Sequence, residues 1–391
     1  MVKTNNSLEI LTTTHPSKAK YSLYRYFYKL FGPIIRLILS RSFLGVEVVG
    51  KENLRGGPYL VLMNHSCALD PLLICFFGGK PLQFLISESF MRRRFASKII
   101  SLFGHVAKRK LDFDPGSIQL LKRWADSGAN IALFPEGIFS LFSEPSPLMP
   151  GIEQLIRFLN LPVVIVHLSN GDRVKPLWAT VMRKTKIKIT IYPAQTFKKD
   201  DQILPIITQK LFNLNQPDFK YTSYSTNPAL GLAKTLVNCP TCNQENTLIE
   251  NGHKLACRQC NDVWEIGADN SVTHSRDRNV KDLFIKSFQT TTSKWTNQKE
   301  FRSKQSVQVY DISKRSWIAQ DYGILVFGPD AISVGAYSIS YSDILAHTQD
   351  WGEVIILKTK TNRWALEIKN DSRAQFVNLL EFILSKRNSY A

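Results

Sequence analysis

The chain has 391 residues, 50 Lys and Arg against 32 Asp and Glu, a formal charge of +18, and 44% hydrophobic residues. At about 150 residues per domain this length predicts two to three domains and excludes a single small module; the ordinary proportions of apolar and charged residues exclude a largely disordered chain. The positive excess points toward polyanions, either nucleic acid or an anionic membrane surface, and leaves a merely basic soluble protein open.

Residues 1–20 predict a flexible N-terminus. Their sequence, MVKTNNSLEILTTTHPSKAK, has no apolar core of secretory length, so a cytoplasmic setting without a disulfide framework is expected for the six cysteines. Residues 21–45 predict an amphipathic, membrane-associating helix region. The apolar stretch from Tyr21 to Val46 is interrupted by Arg25, Lys29, Arg36 and Arg41, which leaves no run of about 18 uncharged residues to span a bilayer. On a helical wheel Ser22, Arg25, Lys29, Gly32, Arg36 and Ser40 share one stripe. Tyr24, Phe27, Leu30, Ile34, Ile35, Leu37 and Leu39 cover the remainder. Such a helix, or a pair bent at Pro33, can lie in the headgroup layer with its cationic seam toward phosphates. A helix docked on its own domain fits the same pattern.

Residues 46–220 alternate strand-like and helix-like segments. VEVVG, PYLVLMN, FLISES, NIAL, PVVIVHL and KIKITIYPA read as strands; PLLICFF, GSIQLLKRWADSGA and GIEQLIRFLN read as helices. This predicts an α/β domain with its chemistry in loops at strand ends, closed by a linker at YTSYSTNP. Residues 235–268 form a separate cysteine-bearing unit, and residues 278–302 read as a connecting helix. Residues 303–391 change to short alternating runs: SVQVYD, RSWIAQ, YGILVFG, AISV, SISYSDIL, EVIILKT and RWALEIK. A last helix is expected from an Asp371/Ser372 cap, with Phe376, Leu379, Leu380, Ile383 and Leu384 on one face to plug an open sheet.

The sharpest constellation is Asn64-His65-Ser66-Cys67-Ala68-Leu69-Asp70, directly after a buried strand. A histidine can take a proton from a hydroxyl near neutrality when a carboxylate holds its tautomer, and Asp70 is the acid at hand. In continuous helix the two side chains would stand about 140° apart, so His65 is expected in the loop and Asp70 at the helix start, with Pro71 at the first helical position. Taken singly, Asp70 reads as a plain N-cap and His65 as a satisfied loop histidine. Further along stand Gly104-His105-Val106-Ala107-Lys108-Arg109, Phe134-Pro135-Glu136-Gly137 and Leu161-Pro162-Val163-Val164-Ile165-Val166.

These four ordered blocks resemble the glycerolipid acyltransferase family, the lysophospholipid and glycerol-3-phosphate acyltransferases, over roughly residues 20–220. The resemblance implies a glycerol-3-phosphate-acyltransferase-like α/β domain. In it His65 is the general base, Asp70 its orienting partner, and Arg109, Phe134, Pro135, Glu136 and Gly137 bind substrate. The implied reaction moves an acyl group from acyl-CoA or acyl carrier protein to a hydroxyl of a lysophospholipid-type acceptor. Base catalysis of this kind contributes about 10²- to 10⁴-fold, and backbone N–H groups at the developing oxyanion would add to it. Taken without the resemblance, Arg109 is a solvated surface cation and Pro135 to Gly137 a turn. The chain departs from the family where members acting on acylglycerol phosphates commonly continue with Thr-Arg-Ser: here stand Ile138, Phe139 and Ser140. Arg92, Arg93, Arg94, Lys108 or Lys110 could replace the missing cation; alternatively the acceptor carries no phosphate, or the site has drifted from catalysis. Cys67 would act as a nucleophile only as a thiolate in an electropositive setting, which the family mechanism does not require.

Cys239-Pro-Thr-Cys242 and Cys257-Arg-Gln-Cys260 are separated by fourteen residues. Two such turns can present four thiolates to a tetrahedral Zn²⁺ at about 2.3 Å, with a hairpin at Asn251-Gly252 between them and His253 as a turn residue. The unit resembles a zinc ribbon with a structural Zn²⁺; a redox pair is the alternative. The C-terminal strands and helix resemble the pleckstrin-homology (PH) superfold in element order. Taken together, the expectation is a peripheral or monotopic acyltransferase on the cytoplasmic face of a membrane, with anionic lipids and a lysolipid acceptor as partners. A non-catalytic membrane adaptor is the alternative. A zinc-ribbon protein binding nucleic acid is disfavoured, because no aromatic and basic binding motif accompanies the charge.

Overall fold

The computed structural model describes residues 16–92, 104–139, 142, 144, 146–198, 200–212, 223–314, 317–350, 354–369 and 371–388. Residues 1–15 of the expected flexible N-terminus, Arg93, Arg94, Ser140 and the first two residues of the YTSYSTNP linker lie outside the described residues. The described residues form two compact units, one within Asn6–Leu177 and Met182–Ser225, the other within Trp178–Val181 and Thr226–Ala391.

The first unit opens with α1 (Lys18–Ser40), capped by Ser17, whose Oγ accepts the Lys20 N–H at 3.2 Å. The helix runs through Pro33 unbroken, so the bent pair is not formed. It is followed by β1 (Gly45–Val49), β2 (Leu60–Met63), α2 (Asp70–Gly78), β3 (Gln83–Ser87), β4 (Val106–Lys108) and α3 (Pro115–Asp126). Then come β5 (Ile131–Leu133), α4 (Ile152–Leu159), β6 (Val163–Ser169), β7 (Lys184–Ile191), α5 (Ile203–Leu211) and β8 (Ser223–Tyr224). The sheet order is β1-β7-β6-β2-β5-β3-β4, with β8 paired to β7. β2 lies parallel to both β5 and β6, and β3 parallel to β4 and β5. The C-terminal ends of β2, β4, β5 and β6 therefore share one edge, where the loops that follow them converge.

All four residues of β2 are buried, because both faces of the sheet are covered. Leu60 and Leu62 pack with Trp124 of α3 and Ile156 of α4, whereas Val61 and Met63 pack with Leu73, Ile74 and Phe77 of α2. α1 joins this body along one face. Tyr21 and Tyr24 enter the core, Tyr28 stacks on Phe76 at 5.6 Å, and the Tyr28 hydroxyl donates to the Cys75 carbonyl. A second apolar face, with Leu23, Phe27, Leu30, Ile34, Leu37 and Ile38, stays exposed. The apolar cylinder read from the sequence is thus divided between docking and solvent. Among the described residues no helix is long and apolar enough to cross a membrane.

The second unit carries an antiparallel sheet of order β12-β11-β10-β9, formed by β9 (Leu248–Asn251), β10 (Lys254–Cys257), β11 (Val263–Ile266) and β12 (Val272–Thr273). Asn251 pairs with Lys254, so the hairpin turns on Gly252 and His253, one residue beyond the expected pair, with Gly252 at φ 58°. β12 carries this sheet past residue 268. α6 (Val280–Gln298) starts in a capping box of Asn279 and Asp282. It ends before the expected residue 302, because Lys299 turns left-handed and Phe301 already pairs with Phe327.

A seven-stranded antiparallel sheet follows in the order β16-β15-β14-β13-β19-β18-β17. Its strands are β13 (Phe301–Asp311), β14 (Ile318–Phe327), β15 (Ala331–Val334), β16 (Tyr337–Ser340), β17 (Ile344–Asp350), β18 (Val354–Thr359) and β19 (Arg363–Glu367). α7 (Arg373–Asn388) buries Phe376, Leu379, Leu380 and Ile383 against Val307, Leu325, Phe327 and Leu357. At the helix start Ser372 Oγ accepts the Gln375 N–H and Asp371 Oδ1 accepts the Ser372 N–H, while Asp371 Oδ2 accepts the backbone N–H groups of Lys304 and Gln305 in β13.

Candidate active site and metal centre

The loop after β2 is held from both ends. At its start the Asn64 amide clamps the Leu168 backbone of β6, accepting its N–H at 2.7 Å and donating to its carbonyl at 3.0 Å. At its end Asp70 opens α2 and is completely buried. A buried carboxylate is tolerable only when its lone pairs are filled, and five donors converge here. Oδ2 accepts from the backbone N–H groups of Ser66 (2.7 Å) and Cys67 (2.8 Å) and from His65 Nδ1 (3.0 Å). Oδ1 accepts from Ser66 Oγ at 3.4 Å and Cys67 Sγ at 3.1 Å. His65 is in the loop and Asp70 at the helix start, as the spacing requires. With Nδ1 donating to the carboxylate, the proton-accepting lone pair is on Nε2.

His65 is 13% exposed, and burial lowers its pKa more than hydrogen bonding and attraction from Asp70 raise it; Lys110 lowers it further. The net direction keeps the imidazole neutral near neutrality, the form a general base needs. Cys67 is the opposite case. Burial and the Asp70 charge push its thiol well above its ordinary value, so no thiolate is available for the nucleophile alternative. Burial likewise pushes the Cys75 thiol up to about 12.

The loop after β5 closes over the same point. Phe134 stacks on the His65 ring at 3.7 Å and Phe139 covers it at 3.9 Å, so the imidazole lies between two phenyl rings. The Glu136 carboxylate does not point to an open site. Oε1 accepts the backbone N–H of His65 at 2.8 Å and Oε2 that of Ser146 at 3.3 Å, which makes Glu136 a positioning residue for the His65 backbone. Pro135 is buried, and its carbonyl accepts the Met149 N–H at 2.7 Å. Gly137 has φ 69°, a conformation that disfavours a side chain, and a Cβ there would overlap Met149. Arg109 is engaged with Asp112 at 2.8 Å. The cation brought to this loop is Lys110, whose Nζ donates to the Gly137 carbonyl at 2.8 Å.

Two features of the site carried no signal in the sequence. One is the Asn64 clamp. The other is Gly171 after β6, where an added Cβ would overlap Ser66 Oγ and approach Asp70 Oδ1 at 3.2 Å. Gly171→Ala should therefore displace Ser66 and loosen the Asp70 cage, costing about 1–3 kcal/mol in thermal unfolding; an unshifted melting temperature would count against this close packing.

Burial raises the Glu136 pKa to about 7, against the hydrogen bonds from His65 and Ser146. Its folded value lies above the unfolded one, so the folded state loses stability as pH rises from about 4.5 to about 7. Glu136→Gln keeps an acceptor for His65 and removes the titration. Relative to the parent it should gain up to about 3 kcal/mol more at about pH 8 than at about pH 5 in urea unfolding. An equal difference at both pH values would contradict the raised pKa.

In the second unit the four Sγ atoms of Cys239, Cys242, Cys257 and Cys260 lie within 4.8 Å of one another. Cys239 and Cys260 are 3.8 Å apart, Cys242 and Cys257 3.7 Å. A zinc ion bonded to four sulfurs at about 2.3 Å requires edges of about 3.8 Å, so the donor set fits Zn²⁺. Each Cys-x-x-Cys closes alike. The Asn243 and Asn261 N–H groups return to the Cys239 and Cys257 carbonyls at 3.0 Å, with left-handed Asn243 (φ 62°) and Asn261 (φ 60°). Backbone N–H groups of Thr241 and Gln259 point at the first sulfur of each turn, both at 3.4 Å. The Asn after each pair, in CPTCN and CRQCN, is the sequence signal for this geometry. His253 is outside the cluster.

A family profile described as Acyltransferase matches residues 45–169, from the first residue of β1 to the last of β6, and so includes His65, Asp70, Arg109 and Phe134 to Gly137. Among solved structures the chain is similar to the 1-acyl-sn-glycerophosphate (LPA) acyltransferase PlsC from Thermotoga maritima, at 19% identity and a TM-score of 0.39, over 51% of this chain and 96% of that one. Comparison with curated proteins finds no match.

Proposed function

We propose that the chain is a membrane-associated acyltransferase that moves a fatty acyl group from acyl-CoA or acyl carrier protein to a hydroxyl of a lysophospholipid-type acceptor. The observation that carries this reading is the His65 Nδ1 to Asp70 Oδ2 contact of 3.0 Å, inside the segment that matches the Acyltransferase family. His65 Nε2 takes the acceptor's hydroxyl proton as the oxygen bonds to the thioester carbonyl carbon. The tetrahedral oxyanion then collapses, the C–S bond breaks, and the imidazolium returns its proton to the leaving thiolate. Asp70 holds the tautomer throughout, and Glu136 holds the backbone of the base. Phe139, where the family has an arginine, favours an acceptor that presents an apolar or neutral group to this face, with Lys110 held beside it on the Gly137 carbonyl.

The exposed apolar face of α1 supports seating in the headgroup layer without a spanning helix. The cysteine cluster supports a structural Zn²⁺, held by Cys239, Cys242, Cys257 and Cys260, that staples the ribbon. The sheet order β16-β15-β14-β13-β19-β18-β17 with α7 against it supports the PH-like reading of the C-terminal part. The purified protein should acylate at least one member of a lysolipid panel from a thioester donor, and His65→Ala should lower the rate by about 10²- to 10⁴-fold. One observation favours the second reading, a non-catalytic adaptor: both faces of the His65 ring are covered by phenylalanines. Absence of any His65-dependent product from wild-type protein would establish the adaptor in place of the enzyme.

A further inference from the structure

Two abutting grooves run beside α1 at the end of α2 opposite Asp70. One, of about 350 Å³, is lined by Arg25, Tyr26, Lys29 and Lys80; the other, of about 610 Å³, by Lys29, Arg36, Leu37, Lys51, Phe76 and Phe77. They share Tyr28, Lys29 and Gly79. Five cations face this space, and among the described residues no carboxylate lines either groove. The C-terminal end of α2 draws cations, but a helix end carries only about half an elementary charge. That cannot balance five full charges. Burial and repulsion from Arg36 depress the Lys51 pKa, as expected where two cations meet without an anion between them. The Arg36 guanidinium is held over the Phe77 ring at 5.6 Å, which fixes its direction. Across nine residues of α2, about 13 Å of helix, the grooves are separate from the His65 site.

The walls decide between a free anion and a lipid. Leu37 and Tyr26 line the grooves and also belong to the exposed apolar side of α1, beside Leu30 and Ile34. A free phosphate would meet only the cations, whereas a phospholipid engages both the cations and the apolar edge. We propose that these grooves are a headgroup site for an anionic phospholipid, its phosphate among Lys29, Arg36 and Lys51 and its acyl chains against the exposed side of α1. The inference rests on the membrane seating of α1 proposed above.

The test is co-sedimentation of the full chain with phosphatidylcholine vesicles, with and without phosphatidylglycerol. A cation near an anionic surface contributes about fivefold in affinity, so Arg36→Gln/Lys51→Gln should lose about 25-fold of the phosphatidylglycerol-dependent binding. Binding to neutral vesicles should be unchanged, which also reports that the variant folds. The charge-conserving Arg36→Lys/Lys51→Arg and the control Lys184→Gln/Lys198→Gln should each stay within about twofold of wild type. A groove variant that falls no further than the control overturns the site. So does displacement from vesicles by inorganic phosphate at constant ionic strength, which would assign the grooves to a free anion. Leu30→Gln/Ile34→Gln reports on seating separately. If it leaves neutral-vesicle binding intact, the seating of α1 fails, whatever the groove variants do.

Discussion

Asp70→Asn is expected to lower the acyl-transfer rate by about 10²- to 10⁴-fold while moving the acid limb of the pH profile to lower pH. The two effects have one cause. Asp70 fixes the proton on Nδ1 of His65, and its charge and hydrogen bond are the influences that raise the His65 pKa against burial. Without the charge the imidazole protonates only at lower pH, yet more of it adopts the wrong tautomer. In the wild type the limb should already lie below the ordinary histidine value of about 6.5, with activity rising as pH rises and His65 deprotonates. A limb that moves upward in Asp70→Asn would contradict the proposed pairing. Asp70→Ala should also unfold more readily, because the N–H groups of Ser66 and Cys67 lose their acceptor; each buried unpaired donor costs about 1–3 kcal/mol.

Removing one cysteine of the cluster is the second large effect. Cys257→Ser should abolish stoichiometric zinc measured by elemental analysis, and Cys239→Ser should do the same. Structural zinc in small sites contributes about 10–16 kcal/mol of apparent folding free energy, far beyond what the short ribbon sheet can replace. The consequence should spread to α6. Asn238, beside Cys239, is buried and bonded to Ser287 and Thr291, and Lys294 donates to its side chain. Hydrogen exchange should therefore rise across residues 238–273 and at the face of α6 that meets Asn238. Retained zinc in either variant would refute the four-thiolate site; lost zinc with unchanged exchange would refute its stapling role.

Much of the site was legible because its chemistry is local. The five-residue offset from His65 to Asp70, with Pro71 behind it, is enough to place imidazole and carboxylate on opposite sides of a loop-to-helix junction. The two Cys-x-x-Cys turns likewise carry their own geometry. The choice among cations was not legible: Arg109 is spent on Asp112, and Lys110, one residue on, reaches Gly137. The C-terminal strands show a subtler difference. The last three residues of RSWIAQ, Ile318 to Gln320, and the run from Tyr322 to Phe327 belong to one strand, β14, because Asp321 continues the ladder without a turn; SISYSDIL is broken by the helical turn Tyr341–Asp343, capped by Ser340. The two differences cancel, and seven strands are observed where seven were expected.

Capping, turn formation, thiolate spacing and hydrophobic period depend on residues a few positions apart, so composition and motif order were enough for the α/β domain, the pairing of His65 with Asp70 and the cysteine cluster. The remainder depends on meetings between distant residues. Asn64 grips Leu168 across 104 positions, Glu136 holds the backbone of His65 across 71, and Phe139 comes to rest on the imidazole. Which face of α1 docks and which stays bare is decided by Trp124 and Phe76, far along the chain. Such contacts exist only after the parallel sheet has brought the ends of β2, β4, β5 and β6 to one edge, and no local pattern encodes that closure. The charge excess acquires a direction in the same way: five of its cations line the same pair of grooves only when α1 lies against α2.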